Sequence, residues 1–154
     1  MIHIMFVCHG NICRSPMAEF VMKDLVEKRG IGHLFHITSS ATSREEIGND
    51  THPGTRKKLK EMGIPLTKRG AIQITSADYA NYDYILCMDS HNLRNLGRII
   101  SNDPDQKVRR LLDFSKNPRD IADPWYTGNF DITYNDVVEG CEALLQTLLE
   151  DLQY

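Results

Sequence analysis

Residues 2–16, IHIMFVCHGNICRSP, set how the rest of the chain is read. Ile2 to Val7 form a nearly continuous, partly β-branched apolar run, the pattern of a parallel strand covered on both faces. The run ends at Cys8, and a turn of small and polar residues leads into Met17, Ala18, Val21, Met22, Leu25 and Val26, which recur on one helical face. Ser15 suits an N-cap, Pro16 the first helical position, and Gly30 the stop. A strand, a tight turn and a helix therefore follow one another, with a cysteine and an arginine six positions apart in the turn.

The same alternation continues. A second strand is expected around His36–Ser39, and a helix over Thr55–Met62 between Pro53-Gly54 and Gly63. YDYILCMD, residues 82–89, is the next strand, with Asp89 or Ser90 capping a helix through Leu96, and VRRLLDF, residues 108–114, is the last strand candidate. From Tyr134, the residues Val137, Val138, Cys141, Leu144, Leu145, Leu148, Leu149 and Leu152 keep helical spacing to the end of the chain. Strands alternating with helices imply βαβ units and a parallel sheet, hence an α/β fold. The segment from Phe114 to Ile132 has no clear period, and long loops in compact domains are usually functional. In open α/β sheets ligands bind beyond the carboxyl ends of the strands, which is where both this loop and the Cys8 turn begin.

The 154 residues fit one domain, 1–154, with no repeat or linker. With 41% hydrophobic and 25% charged residues and no apolar run near ~20 residues, the composition is that of a soluble protein without a membrane partner. The apolar start lacks a basic leader, so a cytoplasmic location is expected. Eighteen basic against twenty-one acidic residues give no global reason to bind nucleic acid, so any anion site is local. Cys8, Cys13, Cys87 and Cys141 are read as free thiols, since a chain of this length needs no disulfide staples. His33 and His36 lack matching ligands, and CHGNIC is at most half a zinc site, so no metal is expected.

A turn entering a helix offers backbone N–H groups without intrahelical partners, at the end of the helix dipole that favours negative charge. Gly10 can take a positive φ and Asn11 tolerates one, so successive amides can converge as an anion nest. Arg14 can grip two phosphate oxygens at once. Such surroundings also favour a thiolate, which makes Cys8 a candidate nucleophile, with the Ser15 hydroxyl able to donate to the sulfur. No nucleotide P-loop motif, G-x-x-x-x-G-K-[ST], occurs. Cleaving a phosphate ester further requires an acid for the leaving oxygen. Asp123 is the candidate, before Pro124 and beside Trp125 and Tyr126, which can wall a pocket; Asp120 is the rival. Cys8 would attack phosphorus while Asp123 protonates the leaving group, and Asp123 would then activate water against the cysteinyl phosphate, with no cofactor.

At this point the chain resembles the low-molecular-weight protein tyrosine phosphatases. The likeness rests on CHGNICRS at Cys8–Ser15, YDYILCMD at Tyr82–Asp89 and DPWY at Asp123–Tyr126, in that order and spanning almost the whole chain. It implies a three-layer sandwich with a four-stranded parallel sheet flanked by helices and a phosphate-binding loop after the first strand. It implies Cys8 as nucleophile, Arg14 and the loop residues His9, Gly10, Asn11, Ile12, Cys13 and Ser15 around the phosphate, and Asp123 as general acid. Asn11, Ser15 and Ser39 join a network shaping the loop, and Cys13 is implied as a redox partner for Cys8 rather than core filler. Phosphotyrosine-containing proteins would be the substrates, phosphate the product and inhibitor, and the protein a monomer or weak dimer with a place in signalling.

Two positions depart from the family pattern. Glu45 stands where many members carry an aromatic wall residue, which bears on stacking and peptide preference. Arg69 and Ile72 in RGAIQ replace the His and Arg of a frequent His-x-x-Arg-Gln, which leaves support of the loop from that side open. Three other functions compete. A thioredoxin-coupled arsenate reductase needs two further cysteines close together, and Cys87 and Cys141 sit in a strand and a distant helix. A protein arginine phosphatase resembles this loop but carries threonine at Ile12, whose apolar side chain suits a phenyl ring better. A catalytically dead phosphopeptide-binding module is argued against by intact Cys8, Arg14 and Asp123.

Overall fold

A computed structural model describes residues 1–152. Four parallel strands, β1 (Ile2–Cys8), β2 (Phe35–Ala41), β3 (Tyr84–Cys87) and β4 (Val108–Arg110), lie in the order β2-β1-β3-β4. Six helices surround them: α1 (Arg14–Lys28), α2 (Pro53–Glu61), α3 (Asp78–Asn81), α4 (Ser90–Ile99), α5 (Pro124–Thr127) and α6 (Phe130–Asp151).

The apolar run of β1 is unbroken from Ile4 to Cys8 because both of its faces are covered there. Ile4, Phe6 and Cys8 point into one core with residues of α1 and α6, while Met5 and Val7 point into a second core with Ile85, Cys87 and Leu96. This two-sided burial makes the three layers. β1 pairs with β2 on one side and β3 on the other, so the strand order reverses beside β1. That reversal opens a crevice at the carboxyl ends of β1 and β3, the general ligand position in such sheets.

Helix ends follow local chemistry. α1 stops where Gly30, at φ 71°, lets Gly30 N donate to Glu27 O and Ile31 N to Val26 O. Asp89 caps α4 by accepting from Asn92 N at 2.7 Å, with the reciprocal bond of a capping box. The start of α1 differs from the sequence expectation. The helix begins at Arg14 after Cys13, which makes no side-chain cap, and Ser15 lies inside its first turn with its hydroxyl turned to the Cys8 sulfur.

Three other expectations shift. Residues 108–114 are not one strand, because the extended segment ends at Arg110 and Leu111–Phe114 form a 3-10 turn with Asp113 bonded back to Arg110. α6 begins at Phe130, four residues before Tyr134, because Asn129 caps it by accepting from Ile132 N. The segment expected as loop from Phe114 to Ile132 contains the short helix α5, capped by Asp123 and ended by Gly128 at φ 70°. Among the described residues no helix is long and apolar enough to cross a membrane. All four cysteines are unpaired, as read from the sequence.

Candidate active site

The loop from Cys8 to Arg14 closes into a cradle because its carbonyl groups are drawn outward. Cys8 O accepts from Thr42 N at 3.0 Å, and His9 O from Ser43 N and from the Ser43 hydroxyl. Asn11 O accepts from the Arg69 guanidinium at 2.7 Å, Ile12 O from His52 N at 2.8 Å, and Cys13 O from the Thr55 hydroxyl at 3.2 Å. In a trans peptide the carbonyl and the next N–H point in opposite directions, and the chain has no cis bond. The N–H groups of residues 9, 10, 12, 13 and 14 are therefore directed away from these outer partners and toward the concave side. Asn11 N, also on that side, lies 3.2 Å from the Cys8 sulfur.

Asn11, not Gly10, takes the left-handed conformation, at φ 59°. At Gly10 an added Cβ would lie 3.3 Å from Glu46 Cγ, a tight approach that the Glu46 side chain would have to yield to by a few tenths of an ångström. The Asn11 amide fixes its own orientation. Its Oδ1 accepts from Arg69 and from Ile72 N, and its Nδ2 donates to Ser15 Oγ at 2.8 Å and Ser39 Oγ at 3.0 Å. Ser39 in turn donates to Glu19 at 2.6 Å. With its oxygen already accepting from Asn11, Ser15 can point its proton at the Cys8 sulfur 3.1 Å away.

Arg14 is 2% exposed. Nη1 donates to Asp89 at 2.6 Å and Ile121 O at 2.8 Å, and Nη2 to Asp123 at 3.4 Å. Burial alone disfavours the guanidinium charge, but Cys8, Asp89 and Asp123 outweigh it and push the pKa up. The cation is thus fixed at the floor of the crevice. The burial of Cys13 pushes its thiol up to about 12, and Cys8, the next largest influence, acts in the same direction.

Asp123 accepts from Trp125 N at 3.0 Å through one oxygen and faces Arg14 with the other. Asp120, its rival, is occupied elsewhere: it accepts from Ser90 N, Ser90 Oγ and Arg110 Nη1, each at 3.0 Å. The cleft is lined by Cys8, Ile12, Cys13, Arg14 and Asp123, with His9, Gly10, Glu45, Glu46, Trp125 and Tyr126 around them. Trp125 is 58% and Tyr126 83% exposed, so the aromatic walls stand in solvent. The Trp125 ring meets His52 edge-on at 5.7 Å, and His52 stacks on Phe130. Opposite them, Glu45 and His9 Nε2 join at 2.8 Å across the rim.

The structure thus brings all the expected cleft residues together and sets Asn11, Ser15 and Ser39 behind them. Sequence reasoning missed Glu46, His52, Thr55, Thr42 and Ser43, most of which act through backbone or packing that no motif marks. Support from the RGAIQ side, left open above, is present: Arg69 supplies it with its side chain and residue 72 with its N–H, while the Ile72 side chain is exposed.

Comparison with known proteins agrees with this architecture. A family model described as low molecular weight phosphotyrosine protein phosphatase matches residues 3–154. Low molecular weight protein-tyrosine-phosphatase YfkJ of Bacillus subtilis is 37% identical over 99% of both chains, and its crystal structure superposes with a TM-score of 0.93 over 98% of this chain and 96% of that one. The human low molecular weight phosphotyrosine protein phosphatase is 40% identical over 93% of both chains. A Drosophila arginine phosphatase structure covers 94% of this chain and 96% of its own at 28% identity, with a TM-score of 0.84. By its sheet order, its cysteine cradle and its likeness to these relatives over nearly its full length, the chain belongs to the low molecular weight phosphotyrosine protein phosphatase family.

Proposed function

We propose that residues 1–154 form one protein-tyrosine phosphatase domain that hydrolyses phosphotyrosine through a cysteinyl-phosphate intermediate. The observation that carries the reading is the loop from Cys8 to Arg14, whose carbonyls are tied outward while Asn11 N–H and the Ser15 hydroxyl bracket the Cys8 sulfur. A phosphate dianion seated there meets inward amides and the Arg14 guanidinium, so its charge is balanced by groups already in place. His9, Gly10, Ile12 and Cys13 supply the loop's inner surface, and the Asn11, Ser15 and Ser39 network holds its shape.

In the first step the Cys8 thiolate attacks phosphorus in line, the P–O bond to the phenol breaks, and Asp123 gives its proton to the leaving oxygen. In the second step the Asp123 carboxylate takes a proton from water as its oxygen attacks phosphorus, the P–S bond breaks, and thiolate and inorganic phosphate result. Ser15 stabilises the departing sulfur. Phosphate, which fits the same cradle, inhibits as product. The substrates are phosphotyrosine-containing proteins of the cytoplasm in a signalling role, and the catalyst is a monomer or a weak dimer. Cys13 lines the same cleft, which supports a redox role in which its thiol condenses with Cys8 after peroxide has converted that thiol to a sulfenic acid, giving a disulfide and water.

A second reading, phosphoarginine hydrolysis, is favoured by the acidic rim of Glu45 and Glu46 and by likeness to the fly arginine phosphatase. The apolar Ile12 and the aromatic walls Trp125 and Tyr126 weigh toward a phenyl ring. Arsenate reduction lacks its relay, since Cys87 lies in β3 and Cys141 in α6, both fully buried.

Asp123→Asn tests the mechanism through its leaving-group dependence. The variant is expected to lose on the order of 10²-fold or more in kcat/KM on phenyl phosphate, which reports only the steps through P–O cleavage, and less on p-nitrophenyl phosphate, whose leaving oxygen needs little protonation. Equal losses on both esters would remove Asp123 from the acid role.

A further inference from the structure

Arg69 stands outside the cleft, yet its side chain is aimed at the back of the loop. Its Nη2 donates to Asn11 O at 2.7 Å and also to Asn11 Oδ1. Nη1 reaches the Thr51 hydroxyl at 3.4 Å, and the Arg69 backbone N–H donates to Asp50 at 3.2 Å. Asp50 is itself held by Thr51 N at 2.7 Å and by Arg56 at 3.4 Å. Arg69 is thus locked at both its backbone and its guanidinium.

The consequence lies in the two oxygens it grips. Asn11 carries the loop's left-handed φ of 59°, a conformation that is unfavourable for a residue with a Cβ unless its surroundings hold it. Holding Asn11 O outward turns the Asn11–Ile12 peptide so that the Ile12 N–H faces the cradle. Holding Oδ1 outward leaves Nδ2 to face Ser15 and Ser39, and so places the Ser15 hydroxyl against the sulfur. The guanidinium therefore sets a phosphate-binding amide and, together with the Ile72 N–H that also donates to Oδ1, the donor to the nucleophile. A single N–H donor cannot reproduce this, because Asn11 presents two oxygens on that side. Burial lowers the Arg69 pKa from its ordinary value, with Glu19, Asp50 and Cys8 acting in the opposite sense.

We propose that Arg69 is a positioning residue for the phosphate loop, fixing the Asn11–Ile12 peptide and the Asn11 amide together, so that phosphate affinity and turnover both depend on it. This rests on the reading of the cleft as a cysteine-dependent phosphatase site. The test compares Arg69→Ala, Arg69→Lys and Cys8→Ser with wild type on a phosphotyrosine peptide, alongside inorganic phosphate binding by calorimetry and thermal melts.

Arg69→Ala is expected to keep a cooperative melt, to lose on the order of 10²-fold in kcat, and to bind phosphate at least about tenfold more weakly. Arg69→Lys, which can place one ammonium between the two oxygens, should fall between Ala and wild type. Added methylguanidinium should raise kcat of Arg69→Ala severalfold and leave Cys8→Ser silent. A folded Arg69→Ala within about twofold of wild type in both kcat and phosphate affinity would overturn the proposal, as would a kcat loss that methylguanidinium leaves unchanged. If Arg69→Ala does not fold, Arg69→Met, which keeps the stem and removes every side-chain N–H donor, decides: wild-type kcat and phosphate affinity in that variant would overturn the proposal. A wild-type protein that binds phosphate but releases none from phosphotyrosine would instead sink the phosphatase reading, and the calorimetric comparison would still judge Arg69.

Discussion

Substituting Asp89 by Asn removes the share of the Arg14 anchor that Asp89 supplies while sparing the helix cap. Asp89 does two jobs at once: one oxygen caps α4 and the other lies 2.6 Å from Arg14 Nη1. Asn caps a helix about as well as Asp through its one amide oxygen, so Asp89→Asn keeps the cap, while its NH2 replaces the oxygen that accepts from Arg14 and removes both the charge and that hydrogen bond. The Arg14 side chain is 3% exposed and that of Asp89 17%, so the pair is largely out of water. Removing one member of a buried pair costs ~3–5 kcal/mol when nothing else compensates. Arg14 retains Ile121 O and the longer contact to Asp123, which brings the expected loss below that range, to about 2–3 kcal/mol. For a chain of this length that corresponds to a fall in Tm of roughly 4–12 °C. Phosphate in the cradle supplies the missing negative charge, so it should stabilise the variant more than wild type. Thermal melts with and without saturating phosphate test both statements. A variant that melts within about a degree of wild type, or one that phosphate raises by no more than it raises wild type, would refute the idea that Asp89 neutralises Arg14.

Three further outcomes are expected. Burial pushes the thiols of Cys13 and Cys87 up to about 12 and that of Cys141 higher still, so brief iodoacetamide treatment at neutral pH should modify a single site, Cys8, and phosphate should protect it; peptide mapping that finds Cys13 or Cys87 modified first would contradict this. Hydrogen bonds from Arg119 and Ser115 hold the Glu139 carboxyl near about 2 against an ordinary 4.5, so its contribution is complete above about pH 4.5 and is lost as pH falls through about 2. Glu139→Gln should therefore lower stability slightly at neutral pH and flatten the acid limb of the stability profile, whereas an unchanged limb would show that the exposed pair contributes nothing. Trp125→Ala should raise KM for a phosphotyrosine peptide severalfold with a smaller change for p-nitrophenyl phosphate, which does not extend to the rim; equal changes would remove Trp125 from peptide contact.

Where the sequence was legible, a period or a spacing carried the information. β1 could be read because burial on both faces makes it apolar from Ile4 to Cys8, and α6 because one face repeats over many turns. That Cys8, Arg14 and Asp123 meet in one cleft was legible because their types and spacing match one chemistry. The start of α1 was misread because Ser15 resembles a cap, but its hydroxyl is claimed by Asn11 and the sulfur. Likewise, Arg110 and Asp113 close a turn that interrupts an apparently strand-like run. The outer supports of the loop were invisible for a different reason. Thr42, Ser43, His52 and residue 72 act through backbone N–H groups, which every residue but proline possesses, so only the path of the chain shows that they converge.

The most direct test of the account is phosphate release from a phosphotyrosine peptide and a phosphoarginine peptide measured side by side in EDTA, with Cys8→Ser as the blank. The account predicts rapid release from phosphotyrosine, little from phosphoarginine, and none from the variant. Faster release from phosphoarginine would overturn the assignment of Ile12 and the aromatic walls to a phenyl ring, and undiminished release by Cys8→Ser would contradict the cysteinyl-phosphate mechanism itself.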